Sequence, residues 1–222
     1  MEIRRTFHKE LRECQDEVLI LSRMVEKAIN RSMEALKKRN LELARQVIAD
    51  DVKINEKRFG LEEKCIQLVA TQQPMASDLR IIISILHIIT ELERIGDYAE
   101  GIAKITVMIG DEPPLKPLID LPRMAEKTEE MLRRSLDAFI ERDTEAAKQI
   151  CAEDDEVDNL YDQVFRELLT FMTEDSKTIT RATRLMWVAH NLERSADRVT
   201  NICERVVFLT TGKAWETGVS RY

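Results

Sequence analysis

Apolar residues recur at alternating steps of three and four positions along two stretches of this chain. Such spacing places side chains on one face of an α-helix and is typical of the seams between packed helices. It predicts one long helix near residues 77–109 and another near 177–210. The seam residues are Ile82, Ile85, Ile89, Leu92, Gly96, Ala99 and Ala103 in the first stretch, and Leu185, Ala189, Leu192, Ala196, Val199, Cys203 and Val206 in the second.

Prolines and turn-forming residues divide the rest of the chain. All five prolines fall at position 74 or within residues 110–122, and Asn, Asp or Ser marks softer breaks near positions 40, 143 and 175. Proline stops a helix, whereas these polar residues cap one. The pattern predicts an all-α protein with six long helices, at residues 4–39, 41–71, 77–109, 121–142, 144–173 and 177–210.

An internal duplication relates the two halves of the chain. Residues 32–36 match 135–139, and residues 44–51 match 147–154, both at an offset of 103. Each half holds three predicted helices, which can form one bundle. We therefore predict two tandem three-helix bundles, at residues 1–110 and 123–222, joined by a proline-rich connector at 111–122.

Composition narrows the range of functions. The net charge is −7 and no Lys/Arg cluster stands out, which argues against a nucleic-acid ligand. No apolar run approaches the roughly 18 residues of a membrane span, and residues 1–5 lack the apolar core of a signal peptide. We expect a cytoplasmic protein without membrane insertion. The cysteines, Cys14, Cys65, Cys151 and Cys203, show no Cys-x-x-Cys spacing and are expected to be buried and unbridged.

Two acidic pairs carry the candidate chemistry. Glu93 and Asp97 recur one hundred residues later as Glu193 and Asp197, and the i,i+4 spacing puts both carboxylates of a pair on one helical face. Alone, such a pair usually belongs to a solvated face or a salt bridge. If helices two and three, and helices five and six, form antiparallel hairpins, equal rise along each helix brings further polar residues level with the pairs. These are Asp51 and Asn55 in the first half, and Asp154 and Asp158 in the second.

Carboxylates that face one another repel unless a cation lies between them, so this arrangement predicts two metal sites. Oxygen ligands suit divalent or trivalent ions of iron, manganese, magnesium or calcium better than zinc or copper. His190 lies three residues before Glu193 and is a candidate nitrogen ligand, although a histidine beside a helix seam is more often structural. Asn55 takes the place of a carboxylate, which predicts weaker binding at the first site.

Three classes of function stay open on the residues alone. A metal-dependent hydrolase would need an open coordination position in a sheltered pocket, and the edge of a helix seam offers little shelter. A structural adaptor would bind no metal. A non-enzymatic metal-binding regulator is favoured because no phosphate-cradling Gly-rich loop and no nucleophile–base pair is visible. Ile81, Ile83 and Ile88 exceed what one seam can bury, which predicts a homodimer.

Three segments of this duplicated unit resemble the PhoU family of bacterial phosphate-uptake regulators. They are the Gln-Pro-Met-Ala-Ser-Asp-Leu-Arg turn at 73–80, the Leu-Glu-Arg-Ile-Gly-Asp-Tyr-Ala run at 92–99 and the Leu-Glu-Arg-Ser-Ala-Asp-Arg-Val run at 192–199. The resemblance implies a cytoplasmic, usually dimeric regulator that binds metal-ion clusters through its acidic i,i+4 motifs. It also implies two partners, the ATPase subunit of the phosphate ABC transporter and a phosphate-sensing histidine kinase. Through these contacts the phosphate-starvation response is kept off when phosphate is plentiful.

Overall fold

The computed structural model describes residues 2–216, with side chains from residue 6 onward. A short 3₁₀ turn at Ser176–Thr178 precedes the last helix, and no strand occurs among the described residues. The predicted all-α class and the six predicted helices are confirmed, with boundaries that differ by at most two residues. The helices are α1 Glu2–Lys38, α2 Leu41–Gln72, α3 Ser77–Ile109, α4 Asp120–Glu141, α5 Thr144–Glu174 and α6 Ile179–Thr211.

Local chemistry separates the helices at the predicted breaks. The side-chain oxygens of Asn40 and Asp143 accept backbone N–H groups 3.0 Å away in the first turns of α2 and α5. These bonds satisfy donors that have no partner within the helix. At the other end of α2 the chain turns through Gln73, which has a left-handed conformation with φ 48°, and then meets Pro74. Each half therefore folds back on itself as a series of antiparallel helices.

The two halves pack against each other through α3 and α6, the most extensive helix contact in the described chain. Asn201 donates to the Glu91 carboxylate at 3.1 Å. Gly101 lies against Asn191 so closely that a Cβ atom there would be 3.2 Å from the amide nitrogen. The offset between the two halves is 100 in this part of the chain, so position 91 corresponds to position 191 and position 101 to position 201. The two contacts are thus related by an approximate two-fold axis, and α3 and α6 run antiparallel.

A large hydrophobic core extends through both halves and includes the side chains of the predicted seams, except that Ala103 belongs to a small separate cluster with Ala35, Ala44 and Val47. Ile81 and Ile88 are also buried, with 3% and 0% of their surface exposed, and Ile83 is half-buried. The assumption that these three residues need a second copy to cover them is therefore wrong, because contacts within the chain already bury two of them. Homodimerisation itself stays a prediction.

The expectation for the cysteines is confirmed. Cys14, Cys65, Cys151 and Cys203 are all buried, and none forms a disulfide. Between residues 2 and 216, no helix combines the length and the apolar character needed to cross a membrane.

Candidate metal centres

The first candidate site lies where α2 faces α3. Burial, together with the nearby charges of Glu100 and Asp97, raises the pKa of Asp51 above its ordinary value. Burial and the charges of Glu93 and Glu100 likewise raise the pKa of Asp97. Because Glu100 and Asp97 on α3 both act on the carboxyl of Asp51 on α2, the hairpin does bring Asp51 close to the acidic face of α3, as helical rise predicts.

Close approach of α2 and α3 depends on Gly96, which lies between Glu93 and Asp97 in sequence. A Cβ atom at Gly96 would stand 3.2 Å from the side chain of Ile54 and 3.7 Å from Asp51 Oδ1. The Asn55 amide donates to Asp51 Oδ2 at 2.9 Å, which leaves the other oxygens of the two side chains without protein partners. Asp51 Oδ1 and Asn55 Oδ1 are both buried and accept no hydrogen bond.

Glu100 belongs to this site, and the sequence reasoning missed it. It follows Asp97 by three residues and Glu93 by seven, so all three lie on one helical face. That spacing could have identified Glu100 from the sequence. The second half has Thr200 at the equivalent position, which concealed Glu100 from a comparison of the two motifs. The first site therefore offers four carboxylates, and carboxylate number no longer separates it from the second.

The second candidate site lies between α5 and α6 and is more deeply buried. Glu193 retains 8% of its surface exposed. Burial, reinforced by Asp158, Asp197 and Glu193, raises the pKa of Asp154 to about 7. Burial and the charges of Asp197 and Asp158 raise the pKa of Glu193 to about 7, even though nearby arginines oppose the shift. All four predicted carboxylates therefore lie within electrostatic reach of one another.

Two side chains of the second site have basic neighbours on α6. Arg194 Nη1 lies 2.5 Å from Asp197 Oδ2. His190 Nδ1 lies 3.5 Å from Glu193 Oε2, and burial, followed by the charge of Arg194, lowers the pKa of His190. A neutral imidazole beside Glu193 is compatible with the predicted nitrogen ligand. Asp154 Oδ1 and Glu193 Oε2 remain buried without a hydrogen-bond partner.

The donor atoms suit a hard metal ion, but they do not yet surround a common point. Both sites present carboxylate oxygens, and each has two buried oxygen atoms that lack a partner. Within residues 2–216, no three His, Cys, Asp or Glu side chains are arranged so that they could hold a metal ion. Mutual repulsion favours carboxylates that turn towards Arg194 or Asn55 instead. Metal binding would therefore require changes of side-chain rotamer, not of the helices.

The cavities beside the two sites have different walls. A cavity of ≈ 200 Å³ adjoins the first site, where Asp51 and Glu100 share its lining with Lys27, Arg31 and Lys53. A cavity of ≈ 390 Å³ adjoins the second and has an aromatic wall. Its lining consists of Tyr161, Asp162, Phe165, His190, Glu193 and Arg194.

Comparison with known proteins agrees with this architecture. Residues 18–106 and 121–206 each match the PhoU domain. The phosphate-specific transport system accessory protein PhoU homolog of Aquifex aeolicus is 42% identical over 205 residues, which are 92% of this chain and 93% of that protein. PhoU of Escherichia coli is 34% identical over 207 residues, 93% of this chain and 86% of that protein.

Solved structures of PhoU proteins have the same fold as this chain. The phosphate transport system regulatory protein PhoU from Streptococcus pneumoniae superimposes with a TM-score of 0.89 at 31% identity, and covers 95% of this chain and 99% of its own. PhoU from Pseudomonas aeruginosa superimposes with a TM-score of 0.88 at 34% identity, and covers 93% and 100%. Two domain matches, one on each half of the duplication, together with these relatives, establish that the chain belongs to the PhoU family.

Proposed function

We propose that this protein is a cytoplasmic, non-enzymatic regulator of phosphate uptake that binds metal ions at two acidic sites. The names of its relatives support the phosphate-transport part, since they are accessory or regulatory proteins of phosphate transport and match nearly the whole chain. One observation carries the metal part: in each half, two buried oxygen atoms beside an acidic i,i+4 pair accept no hydrogen bond. Buried acceptors without donors are costly, and a cation relieves that cost.

The proposed action is by contact. Bound cations would be held by Glu193, Asp197, Asp154 and Asp158 in the second half, with His190 beside them, and by Asp51, Asp97, Glu93 and Glu100 in the first. Their positive charge would convert a repulsive acidic surface into one that a partner can approach. The partners proposed are the ATPase subunit of the phosphate ABC transporter and the phosphate-sensing histidine kinase. Their engagement would keep the starvation response off while phosphate is plentiful.

A homodimer is part of the proposal, now on a different surface. Val52, Phe59 and Ile66 follow one another at seven-residue intervals on α2 and are 54%, 57% and 56% exposed. A heptad stripe matches another helix that carries the same spacing, and a second copy of α2 supplies one. Sedimentation at micromolar concentration should give a dimer, and Phe59→Lys should shift it to a monomer. A monomeric wild-type protein would contradict this part of the proposal.

The regulatory proposal is tested by removing the second metal site. Glu193→Ala combined with Asp197→Ala should lower the metal content by one site and weaken binding to the transporter ATPase or the kinase. The helices should persist, because every seam residue is untouched. The control is Glu141→Ala combined with Glu174→Ala, two exposed acidic residues outside both acidic sites.

Three measurements decide the outcome: metal content, partner capture from phosphate-replete cells, and a starvation-response reporter. If the double variant lost its metal but bound both partners and repressed the reporter like wild type, the proposed mechanism would be wrong. Turnover of phosphoesters by wild-type protein that the double variant abolishes would instead establish the metal-dependent hydrolase.

A further inference from the structure

The cavity beside the first site is lined by charged residues of both signs. Glu100 comes from α3, Lys27 and Arg31 come from α1, and Asp50, Asp51 and Lys53 come from α2. A site for a metal ion alone needs only acidic residues such as Asp51 and Glu100. The three cationic side chains are therefore an additional feature, and cations that line a cavity indicate an anionic ligand.

The charges of the lining residues allow the cavity to bind a cation and an anion together. Asp50 accepts hydrogen bonds from Arg31 at 2.5 Å and from Lys53 at 2.6 Å, which holds both basic side chains in place. The three cationic side chains match the three acidic ones, so the lining is close to neutral. A divalent cation would make the cavity positive by about two charges, which a doubly charged anion would neutralise.

We propose that this cavity binds inorganic phosphate together with the metal ion of the first site. Magnesium is commonly bound through one or two carboxylates plus phosphate oxygens, which is the donor set that Asp51, Glu100 and a phosphate would provide. The phosphate would also be contacted by Lys27, Lys53 and the remaining N–H groups of Arg31. The volume, ≈ 200 Å³, suits a small ion rather than a nucleotide.

The second half supplies a natural comparison. Arg134 and Glu153 are the counterparts of Arg31 and Asp50 at the offset of 103, and they keep the same ion pair at 2.8 Å. The counterparts of Lys27 and Lys53, in contrast, are Glu130 and Glu156. The second half does have a further basic residue, Lys127, which lies 2.7 Å from Glu153 and 3.2 Å from Glu156. Its basic residues are therefore outnumbered by Glu130, Glu153 and Glu156, whereas in the first half Lys27, Arg31 and Lys53 accompany Asp50 alone. Phosphate binding is accordingly assigned to the first half.

This inference rests on the proposed function and would make the protein a direct sensor of phosphate. Equilibrium dialysis with radiolabelled phosphate should detect binding to the full chain in the presence of Mg²⁺ and lose it in EDTA. Binding free energies are reciprocal, so phosphate should raise the affinity for Mg²⁺ by the same factor by which Mg²⁺ raises that for phosphate. Sulfate has a similar size and charge and should compete, whereas AMP is too large for the cavity and should not displace phosphate at equal concentration.

The decisive variant is Lys27→Glu combined with Lys53→Glu, which places at these two positions the residues of the second half, Glu130 and Glu156. It should weaken phosphate binding by at least about tenfold, since two contacts to the anion become repulsive. Mg²⁺ alone should bind at least as tightly as before, because Asp51 and Glu100 are unchanged and the cavity becomes more negative. Lys37→Glu, on the exposed face of the same helix, is the control and should bind phosphate normally. Lys27→Gln with Lys53→Gln replaces the double variant if circular dichroism shows a loss of helix.

The outcomes separate this inference from the proposed function. Phosphate binding that persists in EDTA, or that the lysine variants leave unchanged, would overturn the inference. So would wild-type protein that binds Mg²⁺ and captures its partners but takes up no phosphate, a result that leaves the proposed function intact. Wild-type protein that binds phosphate and Mg²⁺ yet captures neither partner would overturn the proposed function and support the inference.

Discussion

The two acidic sites share a motif and a helical framework, yet they differ in burial and in their surroundings. In the first half, Glu93 is half-buried and Asp97 is exposed, and basic residues line the adjoining cavity. In the second half, Glu193 is buried, and Tyr161 and Phe165 form an aromatic wall beside it. Duplication kept the acidic pair and the apolar character of the α3 and α6 seams. Residues on the facing helices, and on α1, changed the chemistry.

The difference in burial has electrostatic consequences. The pKa values of Asp154 and Glu193 are raised to about 7, so these carboxyls change charge near neutral pH. The ionised carboxylates of the second site are therefore destabilised by burial and by mutual repulsion when no cation is bound. The first site has Asn55 where the second has Asp158, and its additional carboxylate, Glu100, pairs with Lys104 at 2.6 Å, so repulsion there is weaker. A site that is less favourable without metal gains more when a cation binds.

The largest effect expected from this difference is on the pH dependence of metal binding. Metal ligands must be deprotonated, and two carboxyls of the second site titrate near pH 7. Lowering the pH from about 8 to about 6 should weaken Mn²⁺ binding there by roughly 10–100-fold. Each site is measured alone by calorimetry, with Asp51→Ala and Asp97→Ala to disable the first, or Glu193→Ala and Asp197→Ala to disable the second.

The first site is the internal control in that experiment. Asp97 keeps more of its surface exposed than Asp197 does, so burial penalises its charged form less and the pH dependence should be shallower. Identical pH dependence at the two sites would show that burial does not distinguish them.

A second, smaller effect concerns stability without metal. Because the folded-state pKa of Asp154 is raised to about 7, the folded protein loses stability as the pH rises from about 4 to about 7 and does not regain it above that. Asp154→Asn removes the ionisable group. In EDTA it should increase the free energy of unfolding by roughly 1–3 kcal/mol at about pH 8, and by less at about pH 5.5.

Urea unfolding of the two proteins at both pH values measures this effect. Asp155→Asn is the matched control, since its side chain is exposed and its removal should change stability by no more than about 0.5 kcal/mol. A stabilisation by Asp154→Asn that is the same at both pH values would count against titration of this carboxyl as the cause.

The smallest effect is expected at Asn55. Asn55→Asp makes the facing pair of the first half like that of the second, and an added carboxylate should raise metal affinity at the first site by about 3–10-fold. The measurement is again calorimetry, with the second site disabled. Asn159→Asp, an exposed change beside Asp158, should leave affinity at either site nearly unchanged. Weaker binding in Asn55→Asp would mean that the amide itself is a preferred ligand.

Much of the fold could be predicted because the determinants are local. The alternation of three and four defined the buried faces of α3 and α6, and prolines and capping residues defined the helix ends. The packing of the two halves could not be predicted in this way. Periodicity shows that a helix face is apolar, but it does not show which helix covers it, and Ile88 was therefore assigned to a second copy instead of to this chain.

The candidate sites were predictable to a similar degree. Equal rise along two antiparallel helices was enough to place Asp51 near Asp97 and Asp154 near Glu193. Glu100 was missed because the comparison of the two motifs hid a residue found in only one of them. The basic residues of the cavity were missed for a different reason, since Lys27 and Lys53 lie on helices whose rotation about their axes is fixed by packing.

The sequence by itself determined the helices, the duplication and the alignment of the acidic residues, because these follow from backbone geometry over one or two turns. Only the tertiary structure decided how deeply each carboxylate is buried, which of its oxygens lack a partner and which charges share its cavity. Those properties depend on solvent exclusion by distant segments. The two copies of one motif therefore differ. In the second half two carboxyls have pKa values of about 7, and in the first half basic residues line the adjoining cavity.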